Sequence, residues 1–109
     1  MVMGKRQRFA LIYDSEVGGH LAVIEPKYHS LIRSAIEEQL HFEPETATHN
    51  RKPLKRPMAL GARWELRLEP ANRFRVFYCL EAEERRGRIL TIAVKERNRL
   101  LLAGEEVEL

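Results

Sequence analysis

The feature that most constrains the fold is a pair of alternating segments in residues 63–80, RWELRLEPANRFRVFYCL. Apolar residues from Trp64 to Leu68 alternate with charged ones, and a second alternation follows a Pro-Ala-Asn turn. Because successive side chains of a strand point to opposite faces, this pattern predicts a β-hairpin with one apolar face. The other face carries Arg67 and Arg75, and arginines held on a rigid sheet suit phosphate recognition.

The positive charge of the chain is concentrated around this hairpin. The 109 residues carry a net charge of +3, but residues 49–75 contain eight Lys and Arg against two Glu, a local balance of +6. Such a local excess indicates a surface that binds a polyanion, most simply nucleic acid. The residues that we predict to bind RNA are Arg51, Lys52, Lys55, Arg56 and Arg73, with Phe77 as an aromatic on which a base stacks.

Length and cysteine content limit the class of protein. A chain of this size is expected to form a single domain over residues 1–109, without disulfide or metal. Cys79 is the only cysteine, which fits a reducing compartment. No segment approaches the roughly 20 apolar residues of a membrane span, so we expect a cytoplasmic protein without membrane contact. No histidines or cysteines have metal-ligand spacing, so we predict no metal and no cofactor.

The remaining segments complete the predicted architecture. We predict a strand at 9–13, helices at 16–24 and 26–41, a basic loop at 42–62, a central strand at 88–95, a terminal helix at 96–103 and an acidic tail at 105–109. This order predicts an α+β fold. A small, antiparallel-dominated sheet of about four strands would carry two N-terminal helices on one face, followed by a short C-terminal helix. The helices would cover the apolar face and leave the arginine face open.

Two motifs and the order of the elements resemble the RelE/ParE toxin superfamily. The motifs are PLK at residues 53–55, ahead of Trp64, and RFRVFY at residues 73–78, which is similar to the family's Tyr-Arg-Leu-Val-Tyr strand. The last predicted strand then runs into Lys-Glu-Arg-Asn. The resemblance covers nearly the whole chain and implies a RelE-like fold. It also implies a toxin of a type II toxin–antitoxin pair, with a cognate antitoxin as its protein partner.

The superfamily has two branches with different activities. The RelE-like branch, which we favour, implies metal-independent cleavage of ribosome-bound mRNA by attack of the ribose 2′-hydroxyl on the adjacent phosphate. The ParE-like branch implies a non-enzymatic inhibitor of DNA gyrase. A third alternative is a degenerate member that binds RNA or its antitoxin without cleaving.

Four cations are candidate catalytic residues under this resemblance. A site for 2′-hydroxyl attack must hold the phosphate, neutralise its charge and transfer protons. Arg75 matches the family's strand arginine, and Arg67 lies on the same predicted face. Lys95 and Arg97 match the family's C-terminal catalytic residues approximately.

The residues available as acid and base differ from those of RelE-like enzymes. The lysine that RelE-like enzymes carry after the first aromatic of the hairpin is replaced by Glu65, and no tyrosine or histidine follows the last strand. Glu65 is therefore a candidate base, with Lys52 and His49 in the loop as alternatives.

Overall fold

The computed structural model describes residues 8–56 and 61–107. The elements in these ranges are β1 (Ala10–Tyr13), α1 (Val17–Ala22), a 3-10 turn (Pro26–Tyr28), α2 (His29–Leu40), β2 (Arg51–Pro53), β3 (Trp64–Leu68), β4 (Phe74–Glu81), β5 (Arg86–Glu96), β6 (Arg99–Leu102) and β7 (Glu105–Val107). The seven described strands form one sheet in the order β2-β3-β4-β5-β6-β7, and β1 pairs with β5. The pairing of β1 with β5 is parallel and the other pairings are antiparallel.

The α+β fold predicted from the sequence is wrong. The described chain is mostly β, with a seven-stranded sheet and two short α-helices, instead of a sheet of about four strands with two N-terminal helices and a C-terminal helix. The predicted loop at 42–62 contains β2, and β6 and β7 replace the predicted terminal helix and part of the acidic tail. Residues 57–60 of that loop and 108–109 of that tail lie outside the described residues.

Left-handed backbone conformations explain why strands replace the terminal helix. Arg97 has a φ of 57°, Ala103 one of 52° and Gly104 one of 85°. Each conformation lies in a two-residue connection between paired antiparallel strands, since Glu96 pairs with Arg99 and β6 pairs with β7 in the same way. Left-handed residues match the twist of hairpins and interrupt a right-handed helix.

The predicted hairpin is confirmed. β3 and β4 pair in a register that places Trp64 opposite Tyr78 and Leu68 opposite Phe74. Trp64 and Tyr78 stack with their ring centroids 6.0 Å apart. The apolar face of the hairpin therefore forms as the alternation predicts.

The main core lies between this apolar face and the helices. Ile32, Ile36 and Leu40 lie on one side of α2, spaced so that they share one helix face, and they join Leu66 and Val76 in one buried cluster. Burial of each such aliphatic side chain contributes roughly 1.5–3 kcal/mol to folding. No helix within the described residues is long and apolar enough to cross a membrane.

The opposite face of the sheet is partly covered, contrary to the expectation that it stays open. Phe77, Leu90 and Ala93 form a second buried cluster there with Ala62 and Leu100. These partners come from the loop before β3 and from β6, neither of which was predicted to fold over the hairpin. Phe77 is fully buried.

One edge of β5 is shared by two strands and one side chain. β1 pairs with residues 86–89 and β6 with residues 94–96, while β4 occupies the other edge. A register shift opposite Phe77 and Tyr78 leaves Leu90 unpaired. In the gap between β1 and β6, the Ile92 N–H donates to Nδ1 of the buried His20 at 3.2 Å. The α1 helix thus closes the gap with an imidazole ring.

Candidate nucleic-acid interface

Five charged residues lie near one another on the face of the sheet opposite the helices, and we call them the cationic face. They are Lys52 on β2, Glu65 and Arg67 on β3, Arg75 on β4 and Lys95 on β5. The strand register places Lys52 directly beside Glu65, and Arg67 directly beside Arg75. Lys95 follows Ala93, the β5 neighbour of Arg75, by two residues and so lies on the same face. Four cations and one acid give this face a formal charge of +3.

Glu65 holds the two arginines together. Its Oε2 accepts a hydrogen bond from Nη1 of Arg75 at 2.8 Å, and its Oε1 accepts one from Nε of Arg67 at 3.4 Å. Like charges directly opposite each other on neighbouring strands are destabilising. The carboxylate between Arg67 and Arg75 offsets that repulsion and fixes both guanidinium groups.

Burial distinguishes the two arginines. The Arg75 side chain is 7% exposed, and its Nε donates to the Asn72 carbonyl at 3.0 Å. The Arg67 side chain is 33% exposed and offers the more accessible guanidinium. Arg75 is therefore placed to hold Glu65, and the Arg67 guanidinium is the more accessible of the two.

Lys52 and Lys95 are the accessible ammonium groups of the cationic face. Both residues are exposed. Neither side chain forms an ion pair or hydrogen bond with another residue in the described ranges. Both charges are therefore available to a polyanion.

Two predicted RNA-binding arginines do not join the cationic face. Arg51 is buried on the helix side, where its Nη1 donates to the Gln39 carbonyl. The Arg73 guanidinium lies 5.4 Å from the ring centre of Tyr28 and 5.5 Å from that of Phe74, which belong to the helix side. Both arginines pack in the fold instead of facing the candidate ligand.

The other predicted residues lie around or beneath the face. Lys55 and Arg56 are exposed just beyond β2, while Arg97 is exposed in the turn between β5 and β6. His49 is exposed ahead of β2. Phe77 lies beneath the face, and its full burial leaves no ring surface for a base.

Two asparagines that position this site were not singled out from the sequence. The Asn50 Nδ2 donates to the Arg67 carbonyl at 3.1 Å, and the Arg67 N–H donates to the Asn50 carbonyl at 2.9 Å. Asn72 has a left-handed φ of 54° in the β3–β4 turn, which lets its carbonyl meet Arg75. Asparagine tolerates this conformation better than most residues, so the Pro-Ala-Asn sequence carried a usable signal.

The far end of this sheet face, beyond these five residues, has a smaller excess of positive charge, since Glu81 pairs there with two arginines. Glu81 accepts hydrogen bonds from Nε of Arg86 at 2.8 Å and from Nε of Arg88 at 3.1 Å. The hydrogen bond from Arg88 contributes most to lowering the pKa of this carboxyl group. Burial raises the pKa of the nearby Cys79 thiol, which makes it a poor nucleophile at neutral pH. The formal charge on this side of the sheet is thus larger around Glu65 than around Glu81, where two arginines and one carboxylate leave a single positive charge.

Residues 8–56 and 61–107 contain no group of three or more His, Cys, Asp or Glu side chains arranged to hold a metal ion. The cationic face can act on a ligand through its own groups. Arg67 offers a planar fork for a phosphate, Lys52 and Lys95 offer point charges, and Glu65 offers a carboxylate.

No protein-family model, no curated protein and no solved structure matches this chain. Its function therefore has to be inferred from the cationic face and from the motifs at residues 53–55 and 73–78.

Proposed function

We propose that this chain is the toxin of a type II toxin–antitoxin pair and acts in the cytoplasm as a metal-independent endoribonuclease on ribosome-bound mRNA. One observation carries the proposal: the Glu65 carboxylate sits between Arg67 and Arg75 among the exposed cations Lys52 and Lys95. The resemblance of residues 53–55 and 73–78 to RelE/ParE toxins supports the toxin assignment. A cognate antitoxin is then the protein partner.

Binding of RNA follows from the distribution of charge. Arg67, Lys52 and Lys95 contact the phosphates, because their cationic groups are accessible on one face. Neutralising phosphates releases counterions, which makes such binding strong at low salt and independent of sequence. Arg75 contributes by keeping the Glu65 carboxylate in place.

Cleavage uses the carboxylate among these cations. Glu65 takes the proton of the ribose 2′-hydroxyl, and the 2′-oxygen forms a bond to the adjacent phosphorus. The bond from phosphorus to the 5′-oxygen breaks, and that oxygen receives a proton, for which the Lys95 ammonium is our candidate donor. The products are a 2′,3′-cyclic phosphate and a 5′-hydroxyl end. Arg67 stabilises the negative charge that develops on the phosphate.

A second candidate function is binding without cleavage. It is favoured by the burial of the central pair, since the Glu65 side chain is 8% exposed and the Arg75 side chain 7%. A toxin of this kind would hold RNA or its antitoxin on Lys52, Arg67 and Lys95 and leave the phosphodiester intact.

The test is induction of the chain in growing cells, followed by mapping of transcript 5′ ends. The proposal predicts new 5′-hydroxyl ends within coding regions, reduced roughly 100-fold or more by Glu65→Gln, because the amide cannot take the proton. The control is Glu81→Gln, which makes the same change in a carboxylate that also bridges two arginines. Thermal unfolding shows whether both variants are folded.

The other outcomes distinguish the alternatives. Growth arrest with intact transcripts contradicts cleavage and favours the binding function. Intact transcripts together with gyrase-dependent DNA breaks would favour the ParE-like activity. Equal cleavage by the wild type and a folded Glu65→Gln variant would contradict the role of Glu65.

A further inference from the structure

The outer edge of β1 offers main-chain hydrogen-bonding groups that no described residue uses. The Ala10 N–H donates to Arg85 and the Asp14 N–H donates to Ile89, so the groups of even-numbered residues face β5. In a parallel ladder the intervening residues face the other way. The N–H and C=O groups of Leu11 and Tyr13 therefore point outward, and they form no hydrogen bond within the described ranges.

The two other edges of the sheet are protected against strand addition. At β2, the main-chain groups of Arg51 already have partners. The Thr48 N–H donates to the Arg51 carbonyl at 2.8 Å, and the Arg51 N–H donates to Oγ1 of Thr48 at 3.1 Å. Pro53 follows and has no N–H to offer. At β7, the exposed Glu105 and Glu106 place charge along the edge. Charge, proline and local capping are the usual defences of edge strands.

β1 has none of these defences. Its sequence is ALIY, its Leu11 and Ile12 are half-buried, and Tyr13 is exposed. An uncharged strand edge with open hydrogen-bonding groups is a template for another strand.

We propose that the outer edge of β1 pairs with β1 of a second copy of this chain, in antiparallel orientation about a two-fold axis at Ile12. In this register Leu11 faces Tyr13 of the other copy, and the two strands exchange four main-chain hydrogen bonds. Ile12 faces its own counterpart as a pair without hydrogen bonds. The two sheets become continuous, with both cationic faces on the same side.

The surroundings of β1 favour this register and this direction. A register centred on Leu11 would need the outer edge of Phe9, whose N–H already donates to the His41 carbonyl at 2.6 Å. Antiparallel pairing brings Asp14 of each copy toward the strand end that carries Arg8 of the other. Parallel pairing would instead align like charges. A C2 interface of this kind uses the same surface on both copies.

Cysteine cross-linking in a Cys79→Ala background tests the geometry. With Ile12→Cys, the introduced thiols face each other at a Cα separation of about 4.5 Å, within the range of a disulfide. With Ala10→Cys, each introduced thiol lies beside residue 14 of the other copy. The two thiols are then four residues, or roughly 14 Å, apart along the strands. We expect a covalent dimer on mild oxidation of the purified Ile12→Cys chain and little from the Ala10→Cys chain. Equal cross-linking of both, or of neither, would overturn the proposal.

Sedimentation of the purified chain tests the pairing without a cross-link. Tyr13→Pro removes an outward N–H and hence two of the four hydrogen bonds, so the dimer dissociation constant should rise about tenfold or more. Tyr13→Val removes the same ring but keeps the N–H and serves as the control. The proposal is overturned if the wild type stays monomeric at all concentrations. It is also overturned if the Tyr13→Pro variant dimerises as well as the control and unfolds no earlier than it.

Discussion

Burial gives Arg67 and Arg75 different roles although they lie side by side on one face. Arg75 donates to the Asn72 carbonyl and to Glu65, and little of its side chain reaches solvent. Arg67 contacts the same carboxylate from a more exposed position. The first is a positioning residue in our account and the second contacts the ligand.

Substitution of each arginine should separate these roles. Arg75→Ala leaves the buried Glu65 carboxylate without its closest partner, and we expect a loss of roughly 3 kcal/mol in the free energy of unfolding. Arg67→Ala removes a half-exposed pair and should cost less than about 1 kcal/mol. Urea unfolding of both variants measures the difference. Equal losses would show that exposure does not distinguish the two pairs.

Alternation in the sequence assigns Arg67 and Arg75 to one face but does not give the depth at which each side chain lies. The depth at Arg75 and Phe77 depends on Ala62, Leu100 and the Asn72 turn, which are distant in sequence or take unusual backbone conformations. The same limit applies to Arg51, whose register at the start of β2 turns it to the helix side. Local patterns could not supply those contacts.

At the scale of elements, the junction of α1 with β5 depends on the protonation of one residue. His20 accepts the Ile92 N–H at Nδ1, which only a ring unprotonated at that nitrogen can do. Burial is the main cause that lowers the pKa of His20, while Glu16 and Asp14 on the same segment raise it and reduce the shift.

This shift predicts that stability falls in mild acid. In the unfolded chain, His20 is protonated near its ordinary pKa of 6.5. In the folded chain, the lowered pKa means that His20 is protonated only at lower pH. The unfolded state thus binds more protons in that window. The contribution of His20 is therefore complete above the ordinary pKa and is lost as the pH falls from there through the folded value.

Urea unfolding between about pH 5 and pH 7.5 measures this dependence. His20→Gln keeps an acceptor for the Ile92 N–H and should flatten the slope over that range. His49→Gln, at an exposed histidine, should leave it unchanged. An unchanged slope in the His20→Gln variant would contradict this account of the junction.

Elements with an alternating, helical or apolar pattern were predictable, whereas β2, β6 and β7 were not predicted as strands. The hairpin and a helix ending near residue 40 follow from alternation and helical spacing, and β1 and β5 follow from apolar runs of strand composition. β6 was predicted as helix because its LLL run has no distinguishing period. The signal against a helix lay in its flanks, where Asn98 and Gly104 mark two-residue turns on either side of a four-residue strand.

For the whole molecule, we propose that one face of the sheet carries the charge that binds RNA. Glu81 offsets half of the charge of Arg86 and Arg88 at one end of that face, and Arg51 and Arg73 pack on the other side of the sheet. The accessible excess is therefore local, although the chain has a net charge of only +3.

The most direct test is the salt dependence of single-stranded RNA binding by the purified chain and two double variants of equal charge change. Lys52→Ala with Lys95→Ala removes two cations of the cationic face, and Lys27→Ala with Arg33→Ala removes two exposed cations from the helix side. If each lysine neutralises one phosphate, the first variant should bind more weakly and lower the slope of log K against log salt by about 1.4. The second should retain the wild-type slope. Equal slopes for the wild type and the Lys52→Ala/Lys95→Ala variant would contradict the assignment of this face to RNA.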